Sequence, residues 1–299
     1  MRLLLLSLFC GLLACASPPD DRLSLIVDAD TANEIDDLYA IARALDEPRF
    51  DLRGITSAQF HTSPLASANT VAESQVINED LLHLAGHAAL PHPVGSAVPL
   101  AAPDRPAPSP AADFIVAQAR ALPADRQLHV AVLGPCTNVA SAVLQDPTIV
   151  PRLTVHYIGF WHDTLNNTYN LKEFNTGNDT LAVQVLLNTP GLDFRVMTAT
   201  TSQHLVFEKA RAEAALRDKG RVQDYLLNRW NTYDRWWTPE DPEQARWIMW
   251  DVAIIEALVH PEWATLRRLP GPTGDSIGVY TAIAVDSMRT DFWRHLTPE

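Results

Sequence analysis

The stretch LIVDADTANEIDD, residues 25–37, places Asp28, Asp30, Asp36 and Asp37 together with Glu34 inside ten positions, directly after the β-formers Leu25, Ile26 and Val27. Beyond it, Leu38, Ile41, Ala42 and Leu45 recur at helical spacing, so the segment reads as strand, acidic turn and helix. In open α/β sheets, ligands sit beyond the carboxyl ends of the strands, which is where Asp28 and Asp30 emerge. The dipole of the next helix favours acids in its first turn, where Asp36 and Asp37 fall. Capping accounts for one or two of these carboxylates. Four so close repel one another unless the turn is a solvated loop or a cation sits among them.

The alternation continues outward from this unit. Residues 23–27, 51–57 (DLRGITS), 129–133 (HVAVL), 153–158 and 194–197 predict strands, while 36–45, 68–85, 139–144 and 251–259 predict helices. This order predicts α/β class, a single domain with a mostly parallel central sheet flanked by helices. Seven prolines crowd residues 88–112. With βα units on both sides, a long surface loop within one domain is expected there rather than an interdomain linker. Residues 225–250 form a mixed segment rich in Trp and Arg, and there is no internal repeat.

The 23 Lys and Arg are outnumbered by 36 Asp and Glu, giving a net charge of −13. That excludes a nucleic-acid partner, since nothing would neutralise phosphates, and suits a hard cation or a neutral, hydroxyl-rich ligand. Arg2 and the apolar run 3–14, too short to span a bilayer, read as an export signal. Leu12-Leu13-Ala14-Cys15 resembles a bacterial lipobox that would leave Cys15 lipidated; Ala14-Cys15-Ala16 also fits ordinary cleavage to a secreted product. A Ser-Pro-Pro-Asp-Asp tether follows, which favours the lipoprotein. The expectation is therefore a signal peptide and tether over residues 1–21, a folded catalytic domain over 22–299, and a periplasmic or membrane-anchored bacterial lipoprotein. Only Cys136 remains in the folded part, so no intrachain disulfide framework exists.

Two other acidic-turn patterns fail. A haloacid-dehalogenase turn needs Thr or Val where Asp28-Ala29-Asp30-Thr31-Ala32 has Ala32. A calcium loop of the EF-hand type needs an oxygen ligand fifth and Gly sixth, where Ala32 and Asn33 stand. The chain instead resembles the nucleoside hydrolase family, the inosine–uridine-preferring type and its relatives. DADTANEIDD is similar to that family's DxDxGxDD turn, with two extra residues and no glycine. GITSAQFH (54–61), VLGPCTNVASAV (132–143), NTYNLKEFNTGND (167–179) and WDVAIIEALVHPE (250–262) then follow in the family's order, over most of residues 23–263.

This resemblance implies a calcium ion held by Asp30, Asp37, the backbone carbonyl of Leu133 and Asp251. An all-oxygen set suits calcium and argues against zinc. The implied reaction is hydrolysis of the N-glycosidic bond of a purine ribonucleoside, giving free base and ribose through an oxocarbenium-like state. Asp30 is the candidate base, with Asp28 holding or assisting it. Asn33, Asp36, Asn167, Glu173 and Asn175 would grip the ribose hydroxyls. Trp250 stands where many members carry a proton-donating His; a Trp there resembles the purine-specific branch, where it stacks on the base. Trp161 is a second stacking candidate, and His61 falls near the reacting sugar as an acid or a hydrogen bonder. A homo-oligomer is also implied. Taken alone, Asp251 would be a helix cap, Glu173-Phe174-Asn175 a buried polar turn and Trp250 a core residue. The missing glycine, the insertion and the lost His leave open a non-catalytic nucleoside- or ribose-binding lipoprotein, or a hydrolase of another N-riboside.

Overall fold

The computed structural model describes residues 21–297, so the leader with Cys15 and its cleavage motifs lies outside the described residues. From β1 (Leu23–Ala29) the chain runs through α1 (Asp36–Ala44), β2 (Phe50–Ser57), α2 (Thr70–Leu84), α3 (Pro110–Ala121), β3 (Leu128–Val132), α4 (Thr137–Gln145) and β4 (Leu153–Gly159). A small hairpin, β5 (Trp161–Asp163) with β6 (Thr168–Asn170), leads to α5 (Phe174–Asn178), α6 (Thr180–Leu187), β7 (Asp193–Thr198) and α7 (Ala199–Ser202). Then come β8 (Val206–Glu208), α8 (Lys209–Leu216), α9 (Arg221–Thr232), β9 (Arg246–Ile248) and α10 (Trp250–Val259). The chain closes with β10 (Ala264–Pro270), β11 (Ser276–Ile283) and α11 (Val285–Leu296).

Seven strands form the central sheet in the order β10-β11-β7-β4-β3-β1-β2. All neighbours are parallel except β10, which runs antiparallel to β11. Strand β1 is buried on both faces, hence its nearly unbroken apolar run. Its alternation feeds two cores. Leu25 and Val27 pack in the layer with α1, α10 and α11, while Ile26 packs in the layer with α3, α4 and α6. The α/β class and the mostly parallel sheet are as the alternation implies.

Strand order reverses at β1, with β2 on one side and β3 on the other. Such a reversal opens a crevice at the carboxyl ends of the two diverging strands. The Leu133 N–H donates to Asp28 O at 2.8 Å and holds those ends together. The crevice is therefore set by β1 and β3 and faces the first turn of α1.

Helices α1 and α10 are tied by one buried cation. Arg43 donates to Glu256 through Nε (2.6 Å), to Glu47 through Nη1 (2.6 Å) and to Asp291 of α11 through Nη2 (2.8 Å). A guanidinium can be buried here because each face meets a carboxylate. The proline-rich stretch stays within the domain: Ile55 N–H donates to Pro91 O, Ser96 N–H to Asn138 Oδ1 and Leu100 N–H to Asp179 Oδ2. Ser109 Oγ then caps Ala112 N–H and Pro110 opens α3.

Helices α3, α5, α6, α7 and α8 and strand β8 lie beyond the sequence expectations, and so do three larger parts of the fold. The aromatic stretch becomes α9 and a loop leading to β9, the hairpin β5–β6 follows β4, and β10, β11 and α11 finish the sheet. Strand β10 is an exposed edge with the polar run TLRR, so it lacks the apolar signal that marks interior strands.

Candidate active site

The crevice holds a cavity walled by Asp30, Asn33, Asp36, Asp37, Leu133, Trp161, Glu173, Asn175, Trp250 and Asp251. Glu34, Ile158, Lys172, Phe174, Ala199, Trp236 and Trp237 complete the wall. The acids arrive on three supports. Asp30 follows the end of β1 and begins the turn, Asp36 and Asp37 open α1, and Asp251 lies in the first turn of α10. Neither helix start is capped by its N-cap side chain, and the backbone N–H groups there favour negative charge.

One carboxylate oxygen from each of Asp36, Asp37 and Asp251 lies within 4.8 Å of the other two. Asp251 N–H donates to Asp36 Oδ2 at 3.3 Å, and Asp30 N–H donates to Asp37 Oδ1 at 3.1 Å. Asp36 thus occupies a place in the tight trio, and Asp30 stands beside it. Burial and then mutual repulsion push the Asp30, Asp37 and Asp251 carboxyls well above the usual range. Burial raises Asp36 to about 6. Glycine at 134 leaves the Asp30 carboxylate its place, because a Cβ there would meet Asp30 Oδ1 at 2.5 Å and force that side chain to shift.

On the opposite wall Glu173 caps α5, its Oε1 accepting from Asn175 N–H (3.0 Å) and its Oε2 from Thr176 N–H (3.1 Å) and Oγ1 (3.0 Å). Asn175 Nδ2 donates to Leu133 O at 2.6 Å and to Ile158 O at 3.2 Å. Trp161 and Trp250 stand perpendicular at 6.0 Å between ring centroids. Trp161 is turned into the cavity by Phe160, a buried residue with φ +58° whose carbonyl accepts from Ala199 N–H at 2.8 Å.

Three expected residues do not reach the cavity wall. Asp28 lies beneath it, its Oδ1 accepting from Thr56 Oγ1 (2.6 Å) and Asn138 Nδ2 (2.8 Å), and burial raises it to about 6. That bonding ties β1 to β2 and α4. His61 is exposed, with Nδ1 against Gln59 Oε1 at 3.3 Å. Asn167 belongs to the turn of the β5–β6 hairpin, where Nδ2 donates to Pro270 O and Oδ1 lies 3.0 Å from His162 Nε2. Glu34, Ile158, Lys172, Phe174, Ala199, Trp236 and Trp237 are the wall residues given no site role from sequence. Glu34 was visible in the opening stretch, and Trp236-Trp237 in the aromatic one.

The inosine-uridine preferring nucleoside hydrolase family model matches residues 25–286, the span that carries every wall residue. The chain belongs to the inosine-uridine preferring nucleoside hydrolase family. It is 26% identical over 272 residues to the probable uridine nucleosidase 1 of Oryza sativa subsp. japonica, covering 83% of this chain and 80% of that protein. Probable uridine nucleosidase 2 of Arabidopsis thaliana is 24% identical over 241 residues, with 71% of this chain and 70% of that one covered. In fold it is similar to the plant nucleoside hydrolase PpNRh1 (TM-score 0.72, 19% identity, 93% and 99% of the two chains). It is also similar to a purine-preferring ribonucleoside hydrolase from Gardnerella vaginalis (TM-score 0.71, 20% identity, 92% and 98%).

A nucleoside hydrolase is an N-glycosidase, and this one has a cluster that fits a hard divalent cation. Asp30 Oδ2 is buried without a hydrogen-bond partner, and the donors of the trio are all carboxylate oxygens. A cation would relieve the repulsion that raises these carboxyls. Asp36, Asp37 and Asp251 would hold it, with Asp30 and the Leu133 carbonyl beside them.

Proposed function

We propose that this nucleoside hydrolase uses calcium to hydrolyse the N-glycosidic bond of ribonucleosides, with purine nucleosides preferred. The observation that carries the reading is the meeting of Asp251, from the start of α10, with Asp36 and Asp37 at the start of α1. Calcium supplies positive charge that makes a water easier to deprotonate. Asp30, buried and with one unpartnered oxygen, takes that proton. Asn33, Asp36, Glu173 and Asn175 hold the ribose hydroxyls, and the carboxylates oppose the positive charge that develops on the sugar. The perpendicular indoles of Trp161 and Trp250 supply apolar surface for a bicyclic base, which favours purines.

The test is ribose release from inosine, adenosine, guanosine and uridine, with calcium and with a chelator. Purines are expected about five- to hundredfold ahead of uridine, from roughly 1–3 kcal/mol per stacked base. A uridine lead would overturn the purine preference, and turnover insensitive to chelator would overturn calcium. No ribose release from any nucleoside would replace the enzyme by a binding protein. Export with lipidation at Cys15 is part of the same proposal, tested by the mass of the mature N-terminal peptide.

A further inference from the structure

We propose that Thr31 is a positioning residue for Asp30, fixing the acidic turn through a buried clamp to α2. The inference rests on the hydrolase reading above and adds the residues that hold its base in place. It begins from the turn itself. Asn33 N–H donates to Asp30 O at 2.8 Å, which closes a four-residue turn. None of Asp30, Thr31, Ala32 and Asn33 is glycine or proline, the residues whose own backbone restrictions shape a turn most strongly. The geometry of this turn therefore depends on what it is bonded to.

Those bonds run to two helices. Thr31 is fully buried; its Oγ1 donates to Ser74 O at 3.0 Å and lies 3.0 Å from Asn78 Oδ1. Ala32 N–H donates to Ser74 Oγ at 3.3 Å, and Arg229 Nη2 of α9 donates to Thr31 O at 3.5 Å. Ser74 and Asn78, four residues apart, share the buried side of α2 with Val71 and Leu81. Polar side chains among such neighbours cost stability unless they are bonded, and the turn is what they bond. Asp30, next along the chain, is hemmed in on its other sides. Its N–H donates to Asp37 Oδ1 at 3.1 Å, and a Cβ at position 134 would meet its Oδ1 at 2.5 Å. A slip of the turn would move the carboxylate away from the water it acts on, and a misplacement of ~1 Å at a reacting centre can cost about a hundredfold.

The experiment measures kcat, KM and melting temperature for the parent, Thr31→Val, Thr31→Ser and the double variant Thr31→Val with Asn78→Leu. Calcium is present, and the substrate is whichever of inosine, adenosine, guanosine and uridine the parent hydrolyses fastest. Thr31→Val keeps nearly the same shape and loses the hydroxyl, so kcat should fall about ten- to hundredfold while KM moves less than about threefold. Thr31→Ser keeps the hydroxyl, and its kcat should stay within about threefold of the parent. The double variant places apolar groups on both sides of the clamp, so its melting temperature should return towards the parent's while kcat stays low. A Thr31→Val kcat within about threefold of the parent, or a double variant that regains kcat along with melting temperature, would overturn the inference and leave the hydrolase reading intact. Ribose release by the parent from none of the four nucleosides would overturn the hydrolase reading, and the inference with it.

Discussion

Asp30 combines full burial, an unpartnered oxygen and a place beside the Asp36–Asp37–Asp251 trio. Asp30→Asn should lower kcat about a hundred- to ten-thousandfold, the range a positioned base supplies. The same change removes a repelled, buried charge, so the ion-free variant should melt higher than the ion-free parent. Activity and melting moving in opposite directions would separate a base from a mere core residue, and a kcat within tenfold of the parent would exclude the assignment. Gly134→Ala acts on the same carboxylate from the other side. Its Cβ would displace Asp30, so calcium affinity measured by titration calorimetry and kcat should fall together.

At the scale of elements, the Asp36–Asp37–Asp251 trio depends on how α1 and α10 sit against each other, and Arg43 fixes that. Arg43→Met should cost about 3–5 kcal/mol in urea unfolding, because it strands Glu47 and Glu256 in the interior. Replacing Arg43 and Glu256 together with apolar residues should cost much less. The loop between α9 and β9 is held by a second buried cation. Arg235 lies 5.3 Å over Trp237 and 4.8 Å over Trp247, pairs with Asp241 at 2.7 Å and donates to the Arg246 carbonyl. Trp247 Nε1 in turn donates to Glu34 Oε2 at 3.1 Å. Arg235→Ala should therefore raise KM for nucleosides well above its effect on kcat, while calcium affinity holds. Lysine should not restore it, since an ammonium cannot stack as a plane or reach several acceptors at once.

Across the whole molecule, the raised carboxyls make stability depend on pH in a definite direction. Burial raises Asp28 and Asp36 to about 6 in the folded chain against about 4 unfolded, and burial with mutual repulsion raises Asp30, Asp37 and Asp251 as well. Above pH 4 the native state thus binds more protons than the unfolded one, so these groups destabilise it progressively as pH rises through 6. The proposed calcium would compete with those protons, so its stabilisation should be largest near pH 7.5 and fade towards pH 4.5. Melting curves with and without calcium at both values check this; an equal shift at the two would exclude the cluster as the binding site. The sheet and the acids were legible because β1, α1 and α10 each carry their own period and residue type. Asn167 has the expected spacing, while its amide bonds within the hairpin and to Pro270. Trp236 and Trp237 stayed hidden because a loop's path over a cavity depends on Arg235 and Asp241, which no local pattern encodes. The Asp251–Asp36 bond spans 215 residues of chain, and closing so long a circuit is slow. Nothing can be chelated until α10 has docked, so calcium should leave the early refolding phase unchanged and slow unfolding instead, making the ion a lock on the finished protein rather than a seed for it.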